Sequence, residues 1–147
     1  MLTEALESGR GLEKLRQMIA AQGGDPRVCD DVGLLPQPAL RRTVRVGRGG
    51  YVAEMDTTAL GLAAQAMGAG RMKKTDVIDP SVGFVLPVRI GDQVGPEDTL
   101  CELYARSEAD AESAEQAIRA AIRFSDAPVE RPPLWYAVVT KDGIIRN

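Results

Sequence analysis

The sequence predicts an α+β fold, and three observations carry that expectation. Runs with strand alternation and runs with helical spacing are interleaved without the strand–helix repeat of a doubly wound sheet. Glycine and proline clusters cut the chain into short elements. With 44% hydrophobic and 27% charged residues in 147, the chain is globular in composition and can bury a core without disulfide or metal.

From Leu12 to Gln22, Leu12, Leu15, Met18, Ile19 and Gln22 recur at helical spacing, and Gly23-Gly24 followed by Asp25-Pro26 stops that amphipathic helix. Asp30 to Pro38 is turn-rich and reads as a linker. Leu40 to Val46 alternates as a strand with Val44 and Val46 on one face; a glycine-rich turn joins it to a second strand, Tyr51 to Met55. Asp56 or Thr57 caps a helix from Thr58 to Met67, closed by Gly68 and Gly70. Phe84 to Ile90 reads as a strand at an edge or bulge because of Pro87, Gly91-Asp92 as a tight turn, and Thr99 to Ala105 as a further strand. Ser107 with Asp110 opens the clearest helix, whose face is Ala111, Ala114, Ile118, Ala121 and Ile122 and whose end falls near Phe124. Leu134 to Thr140 is a β-rich run leading into the turn Lys141-Asp142-Gly143, with Ile144-Ile145 beyond.

The formal net charge of −3 lacks the basic surplus that neutralising many phosphates requires, so nucleic acid is not an expected partner. Arg41, Arg42, Arg45 and Arg48, and then Arg71, Lys73 and Lys74, read as a solvated strand edge and a solvated loop. Cys29 and Cys101 have no CxxC and no histidine beside them, so neither zinc nor redox chemistry is assembled; the sequence leaves a Cys29–Cys101 pairing open, but both read by default as small hydrophobes in a reduced, cytoplasmic compartment. No membrane span or signal segment is expected. The chain contains 0 histidines, which removes the commonest general base.

Gly68 to Arg71, GAGR, follows a helix instead of opening one and so does not cradle phosphate. Gly47 to Gly50, GRGG, precedes a strand and reads as a turn. Asp30-Asp31, Asp76 with Asp79, and Glu97-Asp98 sit beside turn residues, where carboxylates cap local amides. Tyr51, Tyr104, Trp135 and Tyr136 are scattered over strand-like runs and form no base-stacking platform. No catalytic, cofactor-binding or metal-binding residue is therefore assigned. Val82 to Ala105 has the half-motif of biotinyl and lipoyl carriers, but no lysine lies at its downstream tip, and Lys73 and Lys74 lie upstream. A carrier, with one of those lysines modified, and a stand-alone interaction domain are the alternative readings.

Ala20 to Val28 (AAQGGDPRV), Gly49 to Arg71 (GGYVAEMDTTALGLAAQAMGAGR), Lys74 to Leu86 (KTDVIDPSVGFVL) and Ile90 to Leu100 (IGDQVGPEDTL) resemble the pyrimidine-nucleoside and thymidine phosphorylases, in order and at ordinary spacing. The resemblance covers most of the chain and places it in the C-terminal portion of that family. It implies an α/β-hammerhead lobe at 40–147, preceded at 1–39 by the end of the family's central α/β domain and a linker. It also implies a homodimeric parent enzyme that uses phosphate and a pyrimidine nucleoside. The family's phosphate-binding, pyrimidine-contacting and catalytic residues belong to the earlier two thirds, and none has a counterpart among these positions. The lobe is thus expected to be structural, with no cofactor.

Overall fold

A computed structural model describes residues 2–146, and the chain divides into two compact units at Gln37/Pro38. In the first unit, helix α1 (Leu2–Glu7) is followed by α2 (Arg10–Ala21). The sequence reading had α2 but not α1, whose six residues are too few to show a period. At the end of α2 the Gly23 N–H donates to the Ala20 carbonyl and the Gly24 N–H to the Ile19 carbonyl. That is a Schellman close, and it needs the left-handed backbone of Gly23, at φ 80°. The stretch read as a linker holds two single turns, Pro26–Cys29 and Val32–Leu34, capped by the carboxylates of Asp25 and Asp31. Asp30 is held by both terminal nitrogens of Arg16, at 2.6 and 2.9 Å.

Among its described residues the second unit carries two three-stranded antiparallel sheets, a two-stranded ribbon and two α-helices. Strand β1 (Leu40–Arg45) and strand β2 (Gly50–Met55) are joined by the glycine-rich turn, yet they do not form a hairpin. β2 is followed by helix α3 (Thr57–Ala64), capped by Asp56, whose side chain accepts the Ala59 N–H at 2.9 Å. The helix ends in a wide π-type turn, Gln65–Ala69. Next come β3 (Gly83–Val85), β4 (Gln93–Val94) and β5 (Thr99–Ala105). The strand expected over Phe84 to Ile90 thus stops at Val85, just before Leu86-Pro87, because proline cannot donate to the ladder.

Helix α4 (Glu108–Ala121) begins at Ser107, whose Oγ accepts the Asp110 N–H at 3.1 Å. It passes directly into β6 (Ile122–Ser125), so the helix ends before Phe124 and Ile122 belongs to a strand. The reason is long-range: β6 pairs with β2, Met55 opposite Ile122 and Tyr51 opposite Ser125, and the Asp56 N–H takes the Ala121 carbonyl at 2.8 Å. A hairpin of β7 (Ala137–Thr140) and β8 (Gly143–Arg146) follows.

In the first sheet β5 is central, between β1 and β3, and in the second β2 is central, between β4 and β6. Central position explains why Leu100, Cys101, Leu103 and Ala105 of β5 are all buried. They meet Val44, Val46, Val52 and Ile118 in one continuous apolar core. α4 contributes Ala111, Ala114, Ile118 and Ala121, the face expected from its spacing. α4 is further fixed to β1 by charge-assisted bonds: Arg42 pairs with Glu108 and Glu115, and Arg119 donates to the Arg45 carbonyl at 2.8 Å.

Candidate functional site

The basic residues at β1 alternate. Arg42 reaches α4, whereas Arg41, Thr43 and Arg45 are exposed on the other face of an edge strand. Arg45 donates to the Glu97 carbonyl and to Thr99 Oγ1, both at 3.0 Å, Arg41 lies over the Tyr104 ring, and Arg48 pairs with Asp126. Each is engaged within the chain, which is what a solvated strand edge supplies. Tyr104 sits under Arg41 as a strand residue, and Trp135 and Tyr136 precede β7.

Of the carboxylates singled out in the sequence, Asp31, Asp76, Asp79 and Asp98 cap turns, whereas Asp30 pairs with Arg16. Asp76 accepts the N–H groups of Met72 and Lys73, both at 3.0 Å, which folds the Arg71-Lys73-Lys74 loop back on itself. Asp79 accepts the N–H and hydroxyl of Ser81 at 2.9 and 2.6 Å, and those hydrogen bonds hold its carboxyl below the usual carboxylate range. Asp98 accepts the Gly95 N–H at 2.7 Å. Gly68 turns a carbonyl outward, accepting from the Asp79 N–H at 2.9 Å, so this end of the helix offers an acceptor where a phosphate would need donors. Among the described residues no group of three or more His, Cys, Asp or Glu side chains converges on one point.

Three concavities mark the second unit. One, of about 330 Å³, is bounded by Glu54, Asp56 and Arg123, but Glu54 and Arg123 pair with each other and Asp56 caps α3. A second, of about 80 Å³, lies between α3 and α4 and is lined mainly by alanines. The third, of about 510 Å³, is bounded by Met55, Ile90, Leu134 and the stems of Arg89 and Arg131. Arg89 donates to the Leu86 and Val88 carbonyls, and Arg131 pairs with Asp92 at 2.5 Å. No buried polar or charged side chain occurs among the described residues, so no desolvated acid or base is aimed into these hollows.

A family model for the pyrimidine nucleoside phosphorylase C-terminal domain matches residues 51–125. The chain belongs to that family. The match runs from Tyr51, the second residue of β2, to the end of β6, so it contains all but the first residue of the second sheet and both helices of the second unit. As a phosphorylase C-terminal domain, the lobe shows the α+β architecture expected of it. The carrier-like half-motif, Val82 to Ala105, lies within the matched residues. Its tip, Gly95 to Asp98, is tied to the end of β1 by the Val46 and Gly47 N–H groups, which donate to the Asp98 and Pro96 carbonyls at 2.9 Å each. That tip has no lysine, and Lys73 and Lys74 stand in another loop. Among the described residues no helix is long and apolar enough to cross a membrane.

The two cysteines are free thiols and fall in different compact units. Cys101 is fully buried in β5, and burial pushes its thiol up to about 11, whereas Cys29 is half-buried. At about pH 8, iodoacetamide is expected to alkylate Cys29 in the folded protein and to spare Cys101, with both reacting once denaturant is added. Native-state labelling of Cys101 at the Cys29 rate would mean that β5 opens far more readily than its central place allows.

Proposed function

We propose that this chain is the structural C-terminal lobe of an enzyme for reversible phosphorolysis of pyrimidine nucleosides. Thymidine or uridine plus phosphate gives the free base and a (deoxy)ribose 1-phosphate. A phosphate oxygen forms the new bond to the sugar C1, the glycosidic bond breaks, and its electron pair leaves with the base. The observation that carries this reading is the family match over residues 51–125. Residues 1–39 belong to the end of the central α/β domain, and 40–147 to the C-terminal domain. Consistent with that, α2 presents Leu12, Leu15 and Met18 about half exposed, an apolar face suited to a sheet. The parent enzyme is a pentosyltransferase of nucleoside salvage, cytoplasmic and homodimeric.

The catalytic residues belong to the other domains. Aligning phosphate with C1 requires two walls that hold both reactants, and positioning of that kind supplies much of a rate enhancement. The charged groups around the three hollows are committed to pairs or caps, and there is no histidine to act on the base. The 147-residue chain is therefore expected to release no thymine or uracil above the uncatalysed rate in phosphate buffer, assayed chromatographically beside a full-length phosphorylase. Turnover that survives repurification would overturn the structural role and direct attention to Lys73, Lys74, Asp76 and Asp79.

A further inference from the structure

Every aspartate but one is held by a neighbour among the described residues. Asp25 and Asp30 pair with Arg27 and Arg16, and Asp110 and Asp126 pair with Arg106 and Arg48. Asp31, Asp56, Asp76, Asp79 and Asp98 each accept a backbone N–H close by in the chain, and Asp92 accepts the Arg89 N–H while pairing with Arg131. The carboxylate of Asp142 takes no hydrogen bond or ion pair from any described residue, although its own N–H donates to Thr140 Oγ1 at 3.2 Å.

Asp142 is also the only aspartate followed by glycine. Each of the others precedes a residue with a β-carbon, which crowds the next amide nitrogen, and in Asp25-Pro26 and Asp79-Pro80 that nitrogen has no proton. Gly143 has φ 138°, and a carbon added to it would meet nothing within 4 Å, so the approach to its nitrogen is open. Its place in the ladder, opposite Thr140, is a weak lock. β7 and β8 pair only with each other among the described residues, all eight of their residues are exposed, and a lone two-stranded ribbon is marginal in water. The tip therefore opens at little cost in free energy.

We propose that Asp142-Gly143 is a site of spontaneous backbone isomerisation through a cyclic imide. The Gly143 nitrogen attacks Cγ of Asp142 in its carboxylic acid form. A C–N bond forms, the Cγ–OH bond breaks, and the hydroxyl leaves with the amide proton as water. A second water then opens the imide. Addition at Cγ restores aspartate, whereas addition at the backbone carbonyl carbon of residue 142 breaks the original peptide C–N bond. The chain then runs through Cγ and leaves the α-carboxyl free. Water is the only co-reactant, and the step does not depend on the phosphorolysis reading. The isoaspartyl product adds a methylene to the backbone at the hairpin turn, so Val138 no longer faces Ile145 and Val139 no longer faces Ile144.

The test ages the full chain in oxygen-18 water near neutral pH and digests it with chymotrypsin in ordinary water. Cleavage after Tyr136 releases the hairpin with Asp142 as its one aspartate. That peptide is expected to gain oxygen-18 and to yield an isoaspartyl isomer, identified by electron-transfer fragmentation, while peptides carrying Asp76, Asp92 or Asp98 stay unlabelled. Gly143→Ala, which crowds the nitrogen, should slow labelling at least about tenfold. Asp142→Asn, which expels ammonia instead of water and keeps a turn-forming dipeptide, should form isoaspartate at least about tenfold faster. A free peptide of residues 137–146 sets the unprotected rate, and the folded chain should come within about tenfold of it. Slower labelling than that means that the ribbon holds the Gly143 amide shut, which overturns the proposal. So does oxygen-18 reaching Asp76, Asp92 or Asp98 as fast as Asp142, or a rate indifferent to either substitution.

Discussion

Ile118→Ala is expected to destabilise the lobe by about 2–5 kcal/mol, the cost of deleting a buried aliphatic side chain and leaving the space it filled. Ile118 has no exposed surface, and it is the only large side chain that α4 inserts into the core. Its companions on that face are Ala111, Ala114 and Ala121, which are too small to swing into a void. It shares the core with Leu100, Leu103 and Val44, which are held in the β5 and β1 ladders and cannot move without breaking strand register. Little relaxation is available, which places the cost toward the upper part of the range. Ile118→Val, which keeps most of the volume, should cost about 0.5–1.5 kcal/mol. Urea denaturation followed by far-ultraviolet circular dichroism is the measurement, because Trp135 sits on the exposed approach to the hairpin and reports poorly on the core. A loss below about 0.5 kcal/mol would mean that α4 does not seat on the sheet as drawn.

α4 was legible in the sequence because its signals are local. The alanine and isoleucine spacing gives the buried face, and Ser107 gives the start. The same is true of Asp56 before α3 and of Gly23-Gly24 after α2, each a single residue or dipeptide whose chemistry suits one kind of helix end. What the sequence hid is decided between distant segments. Ile122 continues the helical period by one place, yet it enters a strand because β2 offers a free edge and captures the last carbonyl of the helix. The glycine-rich turn after β1 looks like a hairpin connection, but β1 finds β5 and β2 finds β6. No local feature of Arg45 to Tyr51 announces that choice.

The functional reading divides along the same line. The carboxylates could be assigned to turns from their neighbours alone, and Asp76, Asp79 and Asp98 cap the amides beside them. The long-range pairs Arg42 with Glu108 and Arg119 with the Arg45 carbonyl were invisible, since nothing in either segment names its partner. These pairs are what convert a basic strand into a docking edge for α4. The family resemblance rested on whole segments, and the match covers the elements that make the second sheet and the helices.

Gly50→Ala is expected to cost about 3 kcal/mol or more, because two separate penalties fall on one position. Its φ is 140°, a region in which an L side chain is strained by about 1–3 kcal/mol. A carbon added there would also lie 2.6 Å from the backbone carbonyl oxygen of Ser125. That oxygen belongs to β6, which pairs with β2 at the neighbouring Tyr51, and Gly50 itself pairs with Val94 of β4 on the other side. The central strand is thus flanked on both edges at this point, and the clash can be relieved only by moving a strand. Two controls isolate the effect. A carbon at Gly49 meets nothing closer than 3.9 Å, so Gly49→Ala should stay within about 0.5 kcal/mol of the parent. Gly61 lies inside α3 with open space around it, and Gly61→Ala should stabilise by up to about 1 kcal/mol through helix propensity. Denaturation midpoints for the three variants measure this ordering. If Gly50→Ala lost no more than Gly49→Ala, β6 would have to stand farther from β2, and the pairing that turns the end of α4 into a strand would be wrong.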